Sequence, residues 1–448
     1  MSEPSVPKKK MRFLEVLGLH RPELRAWAMY DWAITGMWAV IVAAIFPIYF
    51  QRVAAAELAP EQATEYFAWA TTLGLALIAI CAPFLGALAD FKPLKKKMLG
   101  TFAGIGISAV ACMYFIHHGD WLLAAILFVL ANIGANGSMI FYDAMLPHIA
   151  KEDEIDRVST AGFAVGYAGA GLLLAFNLAM IQKPDWFGLP ADSTLPTRLG
   201  FIAVAIWWFS FSIPLFRKVS EPPLNKYELP PPGLSPLRVA LGRLAETFRE
   251  LRGYKQAALM LIAFLIYNDG IGTIIRMAAI YGAEKGIDPG VLIGSILLVQ
   301  FVGVPFTFLF GSLAGRIGPK AAIFVGLVVY TGISVLGYFL ETALHFVILA
   351  FLVGMVQGGT QALSRSLFAS MIPRHKSGEF FGFFAVFEKF AGIFGPGIFA
   401  LMIVLTGSSA TAILSIISFF VVGGTVLYFV DVDEGRAVAR AAEKAAVR

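Results

Sequence analysis

The chain has 448 residues, of which 58% are apolar and only 15% are Asp, Glu, Lys or Arg. A soluble globule needs about a quarter of its residues charged, so this chain must bury its apolar surface against lipid. The net charge of +5 is small; no nucleic-acid partner is expected, and the information lies in where the charges fall.

The N-terminal stretch MSEPSVPKKKMRF has a basic cluster. It lacks the uninterrupted apolar core and small-residue cleavage site of a signal peptide. Residues 1–27 are therefore expected to be a tail, with the first span as an uncleaved anchor. Twelve apolar stretches follow, at roughly 28–50, 66–89, 98–117, 121–146, 161–182, 199–216, 257–282, 290–314, 321–340, 344–366, 380–406 and 409–430. Each is near the ~20 residues that cross ~30 Å of hydrocarbon as a helix. They group into two sets of six, 28–216 and 257–430.

The connection, 217–256, contains Pro222, Pro223, Pro230, Pro231, Pro232 and Pro236, which favour extended chain. Beyond them Leu237, Leu241, Leu244, Phe248 and Leu251 share one helical face, with Arg238, Arg243, Arg249 and Arg252 largely off it. That pattern predicts an amphipathic helix on the inner membrane surface; a docking helix for a cytoplasmic partner is the alternative. Residues 431–448 are read as a second tail.

With the N-terminus placed in the cytoplasm, 29 of the 35 Lys and Arg residues fall on that side. The opposite face holds Arg52, Lys183, Arg198 and Lys285, and Arg276 and Lys389 lie inside spans. This positive-inside bias assigns both termini to the cytoplasm. No GxxxxGK[ST] loop occurs, and the cytoplasmic segments are too small for an ATPase domain. His20, His117, His118, His148, His345 and His375 show no metal-ligand spacing. Cys81 and Cys112 read as small buried apolar side chains. No metal, cofactor or enzymatic activity is expected.

The chain also repeats itself. Gly166, Gly169 and Gly171 recur as Gly392, Gly395 and Gly397, and Met145-Leu146-Pro147 recurs as Met371-Ile372-Pro373. GALADFKPLKKK (Gly86 to Lys97) is echoed by GSLAGRIGPKAA (Gly311 to Ala322). Two homologous membrane halves imply a cleft between them that opens to either side, the architecture of a secondary transporter. In the first loop Gly86 permits close helix approach. Asp90 can face the positive N-terminus of another helix, and Lys92, Lys95 and Lys96 surround it. With Gly311 and Arg316 of the second copy, these are candidate elements of a cytoplasmic gate.

This Gly-x3-Asp-x-Lys loop resembles the loop motif of the major facilitator superfamily. Three longer stretches resemble one of its branches, the autophagy-related vacuole effluxer-like family, also called the unknown major facilitator family. They are YDWAITGMWAVIVAAIFPIYF (30–50), YNDGIGTIIRMAAIYGAE (267–284) and QGGTQALSRSLFASMIPRHKSGEFFGF (357–383). The resemblance runs from about residue 26 to 430. It implies an all-α fold of twelve transmembrane helices in two pseudo-symmetric six-helix bundles, a bacterial cytoplasmic membrane location and a monomer. Fungal members are linked to amino acid efflux from the vacuole. Two departures stand out: Gly315 replaces the acidic residue of the second loop copy, and Phe91 and Pro93 stand where a basic residue and a glycine are usual.

Ionisable groups at membrane depth cost at least ~2.5–3.5 kcal/mol and face a cavity or a partner. Asp269, Thr273 and Arg276 are spaced i, i+4, i+7 on one helical face, with Tyr267 and Asn268 just before them. Asp31 and Thr35 are a partial twin in the first span. The resemblance makes these two spans equivalent cavity-lining helices; a structural pair that fixes helix packing is the alternative. Asp31 could equally contact the inner face near Arg25.

Glu388 and Lys389 are adjacent and point ~100° apart, so each needs its own partner. Glu388 shares a face with Gly392 and Gly395 and, with Asp269, is a proton-coupling candidate; an ion pair to Arg365 or another helix is the structural alternative. Asn132, Asn136, Gln300, Gln357 and Gln361 add neutral amides, which often join helices in membranes. With Asp269 and Arg276 they would suit a small zwitterion, Arg for a carboxylate and Asp or Glu for an ammonium.

The expectation is a secondary carrier for a small polar organic solute, amino acids being favoured by resemblance, working by alternating access with a coupling proton or sodium ion. A sugar–cation symporter of the glycoside type and a non-transporting sensor or scaffold on the same fold are the rivals.

Overall fold

The computed structural model describes residues 13–58, 60–91, 93–222, 253–390 and 394–446. Among them every regular element is helical. The expected amphipathic helix of the connection falls outside the described residues.

The first bundle comprises α1 (Pro22–Ala54), α2 (Pro60–Phe91), α3 (Lys95–Cys112), α4 (Trp121–Ile149), α5 (Ile155–Gln182) and α6 (Leu195–Lys218). The second comprises α7 (Lys255–Glu284), α8 (Pro289–Ile317), α9 (Pro319–Tyr338), α10 (Ala343–Ser370), α11 (Ser377–Phe390), α12 (Phe394–Thr406) and α13 (Ser409–Tyr428). Eleven helices are long and apolar enough to cross a membrane. The remaining expected span is covered by α11 and α12, two shorter helices flanking 391–393, which lie outside the described residues.

Helix α1 shows how local sequence shapes the interior. Pro22 opens it, at a position where a missing N–H costs nothing. Pro47, further on, cannot donate to the preceding turn. The chain meets this with a wide π-turn at Trp38–Ala44, closed by Ile45 N–H donating to Val40 O at 2.8 Å. Such an inserted residue locally re-aims side chains, and Trp38, Ala39, Val42 and Ala43 from this turn border the central cavity.

Within the first bundle α1 packs between α5 and α6, and α4 between α2 and α3; within the second α7 packs on α13, and α10 on α8 and α9. The bundles meet along two seams, α5 against α8 and α10, and α11 against α2 and α4. Both seams depend on small residues, which let helices approach in lipid. A Cβ on Gly86 would collide with the Gly378 backbone, and one on Gly382 with the backbone of Ala82 and Pro83. Along the other seam the Tyr167 ring lies on Gly303 and Gly358.

The start of α1 and the helix that follows the second bundle lie on one face, called the terminal face. Arg21 donates to Ile149 O at 2.8 Å and pairs with Glu154. The expected C-terminal tail contains a helix, α14 (Val432–Ala445), capped by Asp431, which accepts from Glu434 N at 2.9 Å. It packs on Met371, and Arg436 donates to Ser370 Oγ at 3.2 Å. Its Arg440 lies 3.9 Å from Glu152 of the other bundle.

The outer surface exposes a belt of large apolar side chains, among them Phe209, Val328, Leu405 and Val421, as lipid contact requires. Cys81 and Cys112 are exposed rather than buried; an apolar thiol is as well accommodated by acyl chains as by a packed core.

Gly86→Ala is expected to destabilise the seam by about 1–3 kcal/mol through overpacking. Gly104→Ala, where an added Cβ meets nothing within 4 Å, is the control and should be neutral. Thermal unfolding of the two purified variants checks this.

Candidate functional site

Between the bundles lies a cavity of about 830 Å³. Its wall comes from both halves: Asp31, Thr35, Trp38, Asn136, Asp143 and Phe163 on one side, and Asn268, Arg276, Gln357, Gln361, Arg365 and Glu388 on the other. Toward the far end it is bordered by Tyr281, Leu292, Leu340 and Phe346. Toward the terminal face it is sealed.

The floor of the cavity is built around Arg365 of α10, which is only 3% exposed. Its guanidinium crosses into the first bundle. Nη1 is 3.0 Å from Asp143 Oδ1, and Nη2 is 3.6 Å from Asp31 Oδ2. Nε donates to Ser159 Oγ, and Nη2 donates to the Ser159 carbonyl, both at 3.0 Å. The cation also lies over aromatic faces, 4.5 Å from the Phe163 centroid and 4.9 Å from that of Trp27, an attraction that strengthens where water is excluded. Tyr142 donates its hydroxyl to Asp31 Oδ2 at 2.7 Å, and Trp27 stacks on Tyr142 with centroids 4.4 Å apart. Gly162 is required here, because a Cβ would run into the Asp31 carboxylate.

Below this floor the seal continues. Ser159 Oγ donates to Ala362 O at 2.7 Å, Ser366 Oγ donates to Asp156 Oδ1 at 2.6 Å, and His148 Nε2 sits 3.0 Å from Ser377 Oγ. Each of these contacts joins one bundle to the other.

The sequence-predicted residues separate into groups. Asp31, Asn136, Asn268, Arg276, Gln357, Gln361 and Glu388 border the cavity. Arg276 has its guanidinium folded back beside Gly272. Asp269 and Thr273, expected on the cavity wall, instead face α12: Asp269 accepts from Gly395 N at 3.0 Å, and Thr273 donates to Asp269 O at 2.7 Å. The reason is angular. The cavity face of α7 runs through Phe264, Asn268 and Ile275, and Asp269 is one ~100° step off it. Arg276 is reached because consecutive residues from Ile274 to Ala278 all border the cavity at that level. Tyr267 is fully buried and shares a hydrogen bond with Ser364 on α10. Glu388 faces the cavity, not the Gly395 packing surface. The side chain of Lys389 is outside what the structure describes.

Among the gate candidates, Gly86 forms the seam described above, and Gly311 lies against Thr160 across the other seam. Lys95 is buried. Lys96 stays within its own half: its Nζ donates to Phe216 O at 3.0 Å and its N–H to Glu221 Oε2 at 2.9 Å. Arg316 is exposed. The Asp90 side chain and Lys92 lie outside the described residues.

Sequence reasoning passed over Asp143 and used Arg365 only as a possible partner for Glu388. A signal existed for the first: a carboxylate deep in an apolar span. Arg365 was hidden by its place at the end of a span, where it counts as one more inner-face cation. Nothing local in the sequence shows that it crosses between halves.

Twelve-span organisation in two bundles, closed on one face around a shared cavity, defines an integral multi-pass membrane protein of the major facilitator type. Solved structures with this fold include the human organic anion transporter MFSD10 (TM-score 0.69, 13% identity, covering 93% of this chain and 100% of that one). A proton:xylose symporter, XylE, aligns with TM-score 0.67 and 12% identity over 92% of this chain and 95% of that one. The chain belongs to the family described as vacuole effluxer Atg22 like, which matches residues 59–440. An uncharacterized MFS-type transporter of Bacillus subtilis, YxiO, is 36% identical over 406 residues, 90% of this chain and 94% of that protein. Autophagy-related protein 22-1 of Aspergillus niger is 24% identical over 299 residues, 62% of this chain but only about half (48%) of the fungal protein.

Arg365→Met is expected to lower stability by about 3–5 kcal/mol, because it strands two buried carboxylates. Adding Asp31→Asn and Asp143→Asn should recover most of the loss, and denaturant unfolding of the purified variants reads both effects.

Proposed function

We propose that this chain is a secondary carrier that moves a small polar organic solute by alternating access, with amino acids as the favoured class. The observation that carries the reading is the cavity: it is enclosed by both bundles, bordered by charges of both signs, and closed on one face by contacts that all cross between bundles. Rocking of one bundle against the other would break that seal while leaving each bundle intact. Its volume of about 830 Å³ lies within the ~300–1,000 Å³ typical of small-molecule sites.

The solute class follows from the wall. Arg276 is positioned to take a carboxylate and Glu388 an ammonium, both charge-assisted interactions. Asn136 donates through Nδ2 to Asn132 O at 2.8 Å, which leaves its Oδ1 as an acceptor. That oxygen, Asn268 Oδ1 and Gln300 Oε1 are buried without a protein hydrogen-bond partner among the described residues, a demand that a solute rich in N–H donors would meet. The excess of Lys and Arg on the terminal-face segments supports a cytoplasmic position for that face, in a bacterial cytoplasmic membrane. The cavity would then open outward in the form seen here. A proton is the favoured coupling ion, the carrier acts as a monomer, and lipid is its surrounding medium.

The test is a thermal-shift screen of amino acids, sugars and organic anions on the purified protein, since a binder stabilises the fold by mass action whatever the direction of flux. Amino acids are expected to shift the midpoint. Arg276→Gln and Glu388→Gln should each weaken binding by about tenfold or more, that is by at least ~1.4 kcal/mol. Binding by a neutral sugar that is indifferent to both substitutions would replace the zwitterion reading with the sugar one. Absence of any binder together with absence of solute counterflow would remove the carrier reading.

A further inference from the structure

The cluster at the cavity floor contains two carboxylates and one guanidinium, all withdrawn from bulk water: Asp31 is 4% exposed, Asp143 8% and Arg365 3%. Fully ionised, it would bury an uncompensated negative charge, a costly arrangement. Among the described residues, the charged and titratable groups that act on the pair of carboxylates are Tyr30 on α1, Tyr142 on α4, Arg365 on α10 and Glu388 on α11. From α5 come Ser159 and Gly162. Glu388 adds negative potential, and Tyr142 already gives its proton to Asp31 as a hydrogen bond. None of these groups supplies the missing positive charge.

We propose that Asp31 and Asp143 together hold one proton whenever Arg365 is docked between them, so that closing the terminal face and binding a proton are one event. Both carboxylates border the cavity, so the proton can arrive through water in the cavity. Arg365 belongs to the second bundle and both carboxylates to the first. Opening the terminal face must pull the guanidinium away and hydrate the pair, and hydration favours the ionised forms. The proton then leaves toward the terminal face. The proposal deepens the carrier reading and takes from it only the rocking motion.

The sign follows from linkage. The closed form binds more protons than the open one, so acid favours closure and alkali favours opening. With a difference of one proton, the closed-to-open ratio changes about tenfold per pH unit near the transition. Asp143→Asn mimics the protonated state and should hold the terminal face closed with no dependence on pH. Asp31→Asn should do the same and guards against a folding defect peculiar to the first variant. Arg365→Gln leaves two carboxylates to be neutralised. Closure should then need two protons, with a ratio that changes about a hundredfold per pH unit and a midpoint moved toward acid.

The experiment uses the full chain with Cys81→Ser and Cys112→Ser, and spin labels at Asp153→Cys in the first bundle and Lys444→Cys on α14. Both positions are exposed on the terminal face. Double electron–electron resonance across mildly acidic to mildly alkaline pH reads the closed fraction as the short-distance population. The expected result is growth of that population as pH falls in the parent, and a flat profile in both Asn variants. A pH-independent parent overturns the proposal, as does a parent-like slope in both Asn variants. So does a slope abolished by Glu388→Gln alone, which would move the proton to Glu388. Solute counterflow on the same variants separates the two ideas. If the parent exchanges no solute, the carrier reading falls while the distance profile still decides the proton question.

Discussion

A guanidinium can sit between membrane helices only where opposite charge and hydrogen-bond acceptors meet it, and that constraint organises this molecule. Arg365 finds its partners on the other bundle: Asp143, Asp31, Ser159 and three aromatic faces. If it were removed from them, water would have to take their place. The contact is therefore weak as a source of rigidity and strong as a discriminator between states. It is stable when the terminal face is shut and dry, or fully dismantled when that face is open and wet, and unfavourable in between. The seams on either side reinforce this, because glycine-to-backbone contacts such as Gly86 on Gly378 have no partly separated arrangement that keeps their packing.

The terminal face is held by more than the repeated loop. The first copy of the loop contributes close packing through Gly86, while Lys96 anchors the end of α6 within its own bundle. The second copy has Gly315 where the acidic residue would stand. Among the described residues, polar contacts that cross between bundles at this face include Ser366–Asp156, His148–Ser377 and Arg440–Glu152. The last comes from α14, so a helix following the two repeats takes part in closing the face. Resemblance to the superfamily loop motif points to the end of the molecule where these contacts lie.

The fold was legible in the sequence because its causes are local and repeated. Apolar length gives the spans, and duplicated glycines give the two halves. The cavity was partly legible: Arg276, Glu388, Gln357 and Gln361 were found as polar residues in apolar spans. What failed was angular resolution. A one-residue step on α7 separates Asn268 on the cavity from Asp269 against Gly395, and hydropathy does not say which face of a span meets water. The triad was illegible as a unit because its members come from α1, α4 and α10, 222 residues apart at the Arg365–Asp143 contact. The C-terminal helix was missed because its sequence is polar, and the search followed apolar length.

Charge at the cavity divides into two sets, and the division carries mechanism. The charged residues bordering it are Asp31, Asp143, Arg365, Arg276 and Glu388. The first three are committed to one another. Arg276 on α7 and Glu388 on α11 are the other two, both in the second bundle. With one proton on the triad the whole wall is neutral, and a solute bearing both charges adds none. A solute carrying only an anionic group would satisfy Arg276 and leave Glu388 facing like charge, at a cost of the sort that selects against wrong ligands. Glu388 and Asp143 border the same cavity, and their like charges repel. In the proposed mechanism, an ammonium bound at Glu388 would lower the negative potential at the triad and ease release of the proposed proton. In the proposed mechanism, solute and proton would act on each other across the bundle interface through one carboxylate, without sharing a site.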